Sequence, residues 1–343
     1  MAAAAEMGDR VRASRRTSSF SIPCLWIPPL WIPPLWIWCG AFVCLLALPA
    51  RASTYFVTVA GLGGEPDYEQ RFTAMAKDLD KVFKASSSDA HVYTLMGSNA
   101  TRARMTEVLT TVAHEAKPQD DFVLILIGHG SFDGAAYKFN LPGPDISAEE
   151  LATLCDRIPS RRQLIVNTTS SSGGSIPALE KPGRAVVAAT KSGTEKNATV
   201  FARYWVEALQ DPTADTDKNQ AISALEAFDY ADRKTADFYT SQKRLATEHP
   251  VFEDTGKGEP VRAASTDGGE GLLLTSMAVV RIGAAQQATN DPAKRALFDK
   301  KEELEQKIDV LKYQKAAMDP DEYKQQLTQA LVDLARVQGE LDK

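Results

Sequence analysis

Two short stretches carry residue types able to do covalent chemistry. "FVLILIGHGS" ends an apolar run in His129, flanked by Gly128 and Gly130. "LIVNTTSSSGG" ends another in five consecutive hydroxyls, Thr168, Thr169, Ser170, Ser171 and Ser172, followed by Gly173 and Gly174. An imidazole is a base near neutral pH, and a hydroxyl that it deprotonates is a nucleophile. His129 and Ser170 can work together only if the fold lays the two apolar runs side by side. The glycines beside His129 permit a sharp exit from a strand and close approach of a ligand backbone. Gly173 and Gly174 do the same for the second loop, whose amides are expected to form an anion-binding nest.

The elements that must position these residues follow from periodicity. Strands are expected at 53–61, 91–95, 121–128, 163–167 and 185–190, and helices at 67–85, 101–116, 147–158 and 198–210. Runs apolar on both faces and separated by helices imply a parallel sheet covered on each side, an α/β doubly wound domain. In such a sheet ligands bind outside the carboxyl ends of the strands, which is where both loops fall. A long helix at about 221–246 and an edge strand or packing segment at 270–277 complete a domain spanning 53–282.

At this point the two motifs resemble those of the caspase-like and legumain-like cysteine peptidases, with the second loop closest in spacing to the legumain branch; the resemblance covers roughly residues 53–250. It implies a caspase-like, mostly parallel sheet flanked by helices, His129 as general base, Gly130 as an oxyanion donor, and a protein or peptide as partner. The family's cysteine is replaced by Ser170, or by Thr169 with a one-residue shift. Cys155 lies a helix earlier, in "ISAEELATLCDRI", where a buried small hydrophobe is expected. A thiol of pKa about 8.5 is readily driven to thiolate, whereas a hydroxyl depends on a base oriented by a third group. No acid adjoins His129; Asp133 and Asp145 are candidates for that role. Two readings follow: a non-peptidase binding or scaffolding domain, or a hydrolase in which Ser170 or Thr169 attacks with His129 as base. "VVAATKSGTEKNATVFARYWVEAL" and "RLATEHP" also look like bacterial members of the group, and Arg203, Glu248 and His249 either line the crevice or are structural.

A third motif is "DTDKNQAISALE", residues 215–226, which matches the twelve-residue calcium loop. Asp215, Asp217 and Asn219 stand at positions 1, 3 and 5, the Ala221 carbonyl at 7, Ser223 at 9 and Glu226 at 12, as a hard cation requires. Gln220 replaces the glycine of position 6, at a cost of about 1–2 kcal/mol for a left-handed backbone. Calcium is therefore an expected cofactor, and the alternative is an acidic linker capping the following helix. "GLGG" at 61–64 lacks the dinucleotide spacing, so no nucleotide is expected there.

The chain of 343 residues is 44% hydrophobic and 24% charged, an ordinary globular balance. Residues 1–52 stand apart: Arg10, Arg12, Arg15 and Arg16, then an apolar stretch, then Ala50-Arg51-Ala52, the order of a secretory signal cleaved near Ala52. The expectation is a secreted or periplasmic protein. The alternative is a membrane anchor at 23–49, although the paired prolines of "WIPPLWIPPLW" would interrupt a helix. Without that segment 34 Lys+Arg face 43 Asp+Glu, an excess of nine negative charges that excludes nucleic acid as a partner. Cys155 is then the sole cysteine, so no internal disulfide is expected. Residues 291–343 are rich in charged helix formers, with Leu297, Leu304, Ile308 and Leu311 and then Tyr323, Leu327, Leu331, Leu334 and Leu341 in stripes. They imply a helical hairpin or coiled coil, serving oligomerisation or docking on its own domain. Asn-x-Thr triplets occur at Asn99, Asn167 and Asn197.

Overall fold

A computed structural model of the chain describes residues 52–86, 89–288 and 291–343. The signal or anchor expectation for residues 1–52 lies, but for Ala52, outside the described residues. Among these, no helix is long and apolar enough to cross a membrane.

Six strands form one sheet. β1 (Thr54–Ala60), β2 (Ala90–Leu95), β3 (Asp121–Ile127), β7 (Arg162–Asn167) and β8 (Arg184–Ala188) run parallel, and β10 (Val251–Glu253) closes the β8 edge antiparallel, in the order β10-β8-β7-β3-β1-β2. The sheet is doubly wound and mostly parallel, as the unbroken apolar strands require. Within β3, Val123, Ile125 and Ile127 face one layer and Phe122, Leu124 and Leu126 the other. The first layer holds α1 (Pro66–Ser86), α5 (Phe201–Ala208) and α6 (Ala224–Ser241); the second holds α2 (Arg102–Glu115), α3 (Ala148–Cys155) and α4 (Ile176–Leu179). The chain leaves β1 for β2 on one side and later places β3 on the other. The point where order reverses therefore lies between β1 and β3, and their carboxyl ends open a crevice.

Several short elements have no signal in the sequence. β4 (Gly130–Phe132), β5 (Tyr137–Phe139) and β6 (Ile146–Ser147) form a small antiparallel sheet directly after His129. β9 (Ala221–Ser223) pairs with β11 (Ala278–Arg281), so the helix expected from 221 begins only at Ala224 and ends at Ser241. Residues 272–275 form a short helix, α7, that packs Leu274 into the core, the packing segment of the two alternatives and not an edge strand. Strands of two to four residues fall below the window in which alternation can be recognised.

After α8 (Gly283–Gln287) the tail is an antiparallel pair, α9 (Pro292–Gln314) and α10 (Pro320–Leu341). α9 docks on its own domain. Lys301, 7% exposed, donates to the Asn219 carbonyl at 2.7 Å, Arg281 pairs with Glu302 at 2.8 Å, and the Tyr313 hydroxyl donates to the Glu270 carbonyl. α10 packs against α9 through Ala330, while Leu331 of the expected stripe is 48% exposed.

Candidate functional site

β3 and β7 are neighbours in parallel register, with Leu126 beside Asn167. The loop carrying His129 and the loop carrying the hydroxyls therefore leave the same end of the sheet, as expected. Their approach is close. A Cβ on Gly130 would stand 2.5 Å from the Ser170 carbonyl oxygen and 2.6 Å from both Thr169 Oγ1 and Tyr137 Cε2. Only glycine fits at that position.

The hydroxyls bond mainly to the protein's own frame. Ser170 Oγ donates to the Gly130 carbonyl at 3.0 Å and accepts from the Gly130 amide at 3.2 Å. Thr169 is fully buried, its Oγ1 2.6 Å from the Tyr137 hydroxyl and 2.9 Å from Asn167 Oδ1. Thr168 Oγ1 donates to the Leu126 carbonyl at 2.7 Å, and Ser172 Oγ is paired with Thr190. Ser171, with left-handed φ of 58°, turns the chain out of β7; its buried hydroxyl has no hydrogen-bond partner among the described residues. The expected anion nest does not form: the Gly173 amide donates to Thr190 Oγ1 and that of Gly174 to the Ser171 carbonyl.

His129 faces the opposite wall. Its ring meets Tyr68 and Phe72 of α1 edge to face, with centroids 4.7 and 5.2 Å apart. Burial lowers its pKa, opposed by a hydrogen bond to the backbone of Gly63 and by the charge of Glu65. The ring is therefore neutral at pH 7. Gly63, whose backbone acts on the ring, lies in "GLGG", the loop after β1, and its amide is fixed by Glu69 at 3.0 Å. The acids considered for orienting the ring are elsewhere. Asp133 accepts from the amides of Ala135 and Ala136, and Asp145 from that of Leu141.

Beside His129 lies a pocket of about 390 Å³ between α1 and α5. Tyr68, Phe72, Met75, Val200, Tyr204 and Phe238 supply much of its wall, with Arg71 and Arg203 also lining it. Arg203 thus belongs to the crevice. Glu248 does not: it is 2% exposed and accepts from the amides of Val200 and Phe201 at the start of α5, with its pKa raised by burial. His249 Nδ1 is 2.5 Å from Glu195, whose carbonyl holds the Ser171 amide. Cys155, the one cysteine among the described residues, is fully buried in the far layer, away from the site, and pushed up to about 12 by desolvation. Asn167 is buried and bonded, whereas Asn99 and Asn197 are exposed.

The acidic loop is a separate cluster. Carboxylate oxygens of Asp215, Asp217 and Glu226 lie within 4.8 Å of one another. Lys218 and Gln220 both take left-handed backbones, with φ of 62° and 72°, so the missing glycine does not prevent the turn. Ser223 caps α6 in a reciprocal box with Glu226, as in the linker alternative. Glu226 also accepts from the Thr216 amide at 2.8 Å, Asn219 Oδ1 accepts from the Ala221 amide, and partial desolvation followed by the charge of Glu226 pushes Asp217 up to about 6.

No family model and no curated protein sequence matches the chain. Solved structures with a similar fold include a protein from Geobacter sulfurreducens determined by structural genomics, with 13% identity, TM-score 0.41, and coverage of 60% of this chain and 93% of that one. The Drosophila initiator caspase Dronc is 12% identical with TM-score 0.40, covering 61% of this chain and 82% of its own. Caspase-1 from Spodoptera frugiperda is 12% identical with TM-score 0.41, covering 60% and 86%. The likeness is one of fold.

Proposed function

We propose that the chain is a caspase-like domain without peptidase activity, whose crevice beside His129 binds a protein or peptide segment. The observation that carries this reading is the double bond between Ser170 and Gly130. A serine nucleophile must give its proton to a base, and here that proton is directed at the Gly130 carbonyl while the amide that would hold an oxyanion is already directed at Ser170 Oγ. Thr169 is buried beneath Tyr137 and equally occupied.

A second reading has its own support. His129 is kept neutral by burial, the state a general base requires. In that reading Ser170 rotates from Gly130 to His129 when a substrate binds and attacks an acyl carbon. Labelling by a fluorophosphonate probe separates the two. The binding domain stays unlabelled while folded. Stoichiometric labelling abolished in both Ser170→Ala and His129→Ala would establish the hydrolase.

A further inference from the structure

The pocket beside His129 has walls whose chemistry restricts what can enter. Tyr68, Phe72, Met75, Val200, Tyr204 and Phe238 present mainly carbon. Its threonines are already satisfied within the protein: Thr168 Oγ1 donates to the Leu126 carbonyl and Thr199 Oγ1 to the Thr168 carbonyl at 2.6 Å. An amide or ammonium side chain lodged there would exchange water for few partners, a desolvation cost without compensating bonds. An apolar side chain loses nothing by the same transfer.

At the rim the charge is positive. Arg71 lies over the Tyr68 ring at 4.7 Å and Arg203 over Tyr204 at 5.4 Å, both exposed, and neither guanidinium has an acidic partner among the described residues. Arg71 Nε is tied to the Asp67 carbonyl, which leaves its terminal nitrogens open. Two unpaired guanidiniums on a chain that is otherwise acidic mark the place where a negative group would be received. The pocket size is at the lower end for ligand sites, enough for one large side chain.

We propose that this pocket takes a single large apolar side chain, aromatic or branched aliphatic, from a peptide segment in which the adjoining residues are acidic. The inference rests on the peptide-binding reading above and names what is bound. Phe72 and Met75 meet the inserted side chain, and Arg71 and Arg203 meet the flanking carboxylates.

The test uses the full-length chain and fluorescein-labelled heptapeptides of the form Gly-Gly-Glu-X-Glu-Gly-Gly, with X as Phe, Leu, Ala, Asn, Asp or Lys, read by fluorescence polarisation. Phe and Leu probes should bind about 10- to 100-fold more tightly than the Ala probe. Asn, Asp and Lys should be no better than Ala. Arg71→Glu and Arg203→Glu, both exposed changes, should each weaken the Phe probe severalfold and reduce the salt dependence of its binding. Ala198→Trp, at an exposed lining position, should remove the preference for Phe over Ala. Tighter binding of an Asp, Asn or Lys probe, or equal binding of all six, overturns the inference and leaves peptide binding standing. Failure of every probe to bind at millimolar concentration overturns the peptide-binding reading, and the inference with it.

Discussion

Removing the Ser170 hydroxyl should cost stability whether or not the protein has a substrate. Ser170 is 4% exposed, and its Oγ answers both the amide and the carbonyl of Gly130. In Ser170→Ala two backbone groups lose a partner at once. A fully buried orphan costs about 1–3 kcal/mol, but Gly130 is half-buried, so water recovers part of the loss and about 1–3 kcal/mol in total is expected. With about 2–4 °C of melting temperature per kcal/mol in chains somewhat smaller than this one, the shift should be several degrees. Thr111→Ala is the control, since Thr111 is less enclosed and its hydroxyl bonds only to the Glu107 carbonyl of its own helix at 3.0 Å; it should stay within about 0.5 kcal/mol. Urea unfolding of both variants, and of Ser170→Ala combined with His129→Gln, measures the effect and its coupling. If Ser170→Ala costs no more than Thr111→Ala, the hydroxyl is not a strut. A coupling with His129 above about 1 kcal/mol would show that the serine answers the imidazole instead, and the reasoning for a silent nucleophile would fail.

Three other outcomes can be checked alongside it. Burial holds His129 below its ordinary value of 6.5, so the folded state binds fewer protons than the unfolded chain as pH falls. Stability from the neutral ring is complete above about pH 6.5 and declines below it, so the gap between wild type and His129→Gln in urea midpoint should narrow from about pH 7.5 to about pH 5. A gap that widens on acidification would contradict the environment described. Gly130→Ala should cost about 1–3 kcal/mol by forcing the two loops apart, against little or no loss for Gly339→Ala on α10, where a Cβ meets nothing within 4 Å. Similar melting temperatures for the two variants would show that the loops do not press together. The calcium expectation for residues 215–226 requires a higher melting temperature in added calcium chloride, lost in Glu226→Gln and diminished below about pH 6, where Asp217 takes up its proton; an unchanged wild type ends it.

Much of the frame was legible because its signals are long. "FVLILI" and "LIV" are apolar on both faces, and a strand buried on both faces needs helices above and below, which gives the doubly wound sheet and the common end of β3 and β7. The tail was legible as helices but less so as an interface. Leu304, Ile308 and Leu311 are buried on α9 as their spacing suggests, yet Leu331 on α10 is 48% exposed, and the residue α10 buries fully is the small Ala330.

The bonds of the site were not legible, and the reason is physical. Composition names five hydroxyls at the end of β7, but not that Thr168 and Ser170 find the backbone carbonyls of Leu126 and Gly130, Thr169 and Ser172 mainly side chains, and Ser171 no partner among the described residues. Gly130 begins β4, which is placed by pairing with the three residues of β5; β5 also sends Tyr137 over Thr169. The group acting on His129 is likewise backbone, that of Gly63, while Asp133 and Asp145 bond to other amides. A backbone acceptor has no sequence signature beyond the glycines that let it come close. The consequence for catalysis is direct. A side-chain acid bonded to the ring would add a negative charge that favours the imidazolium and could be detected by its type, whereas a backbone group adds none. His129 therefore stays neutral in its aromatic surroundings, ready to accept a proton that Ser170 directs elsewhere.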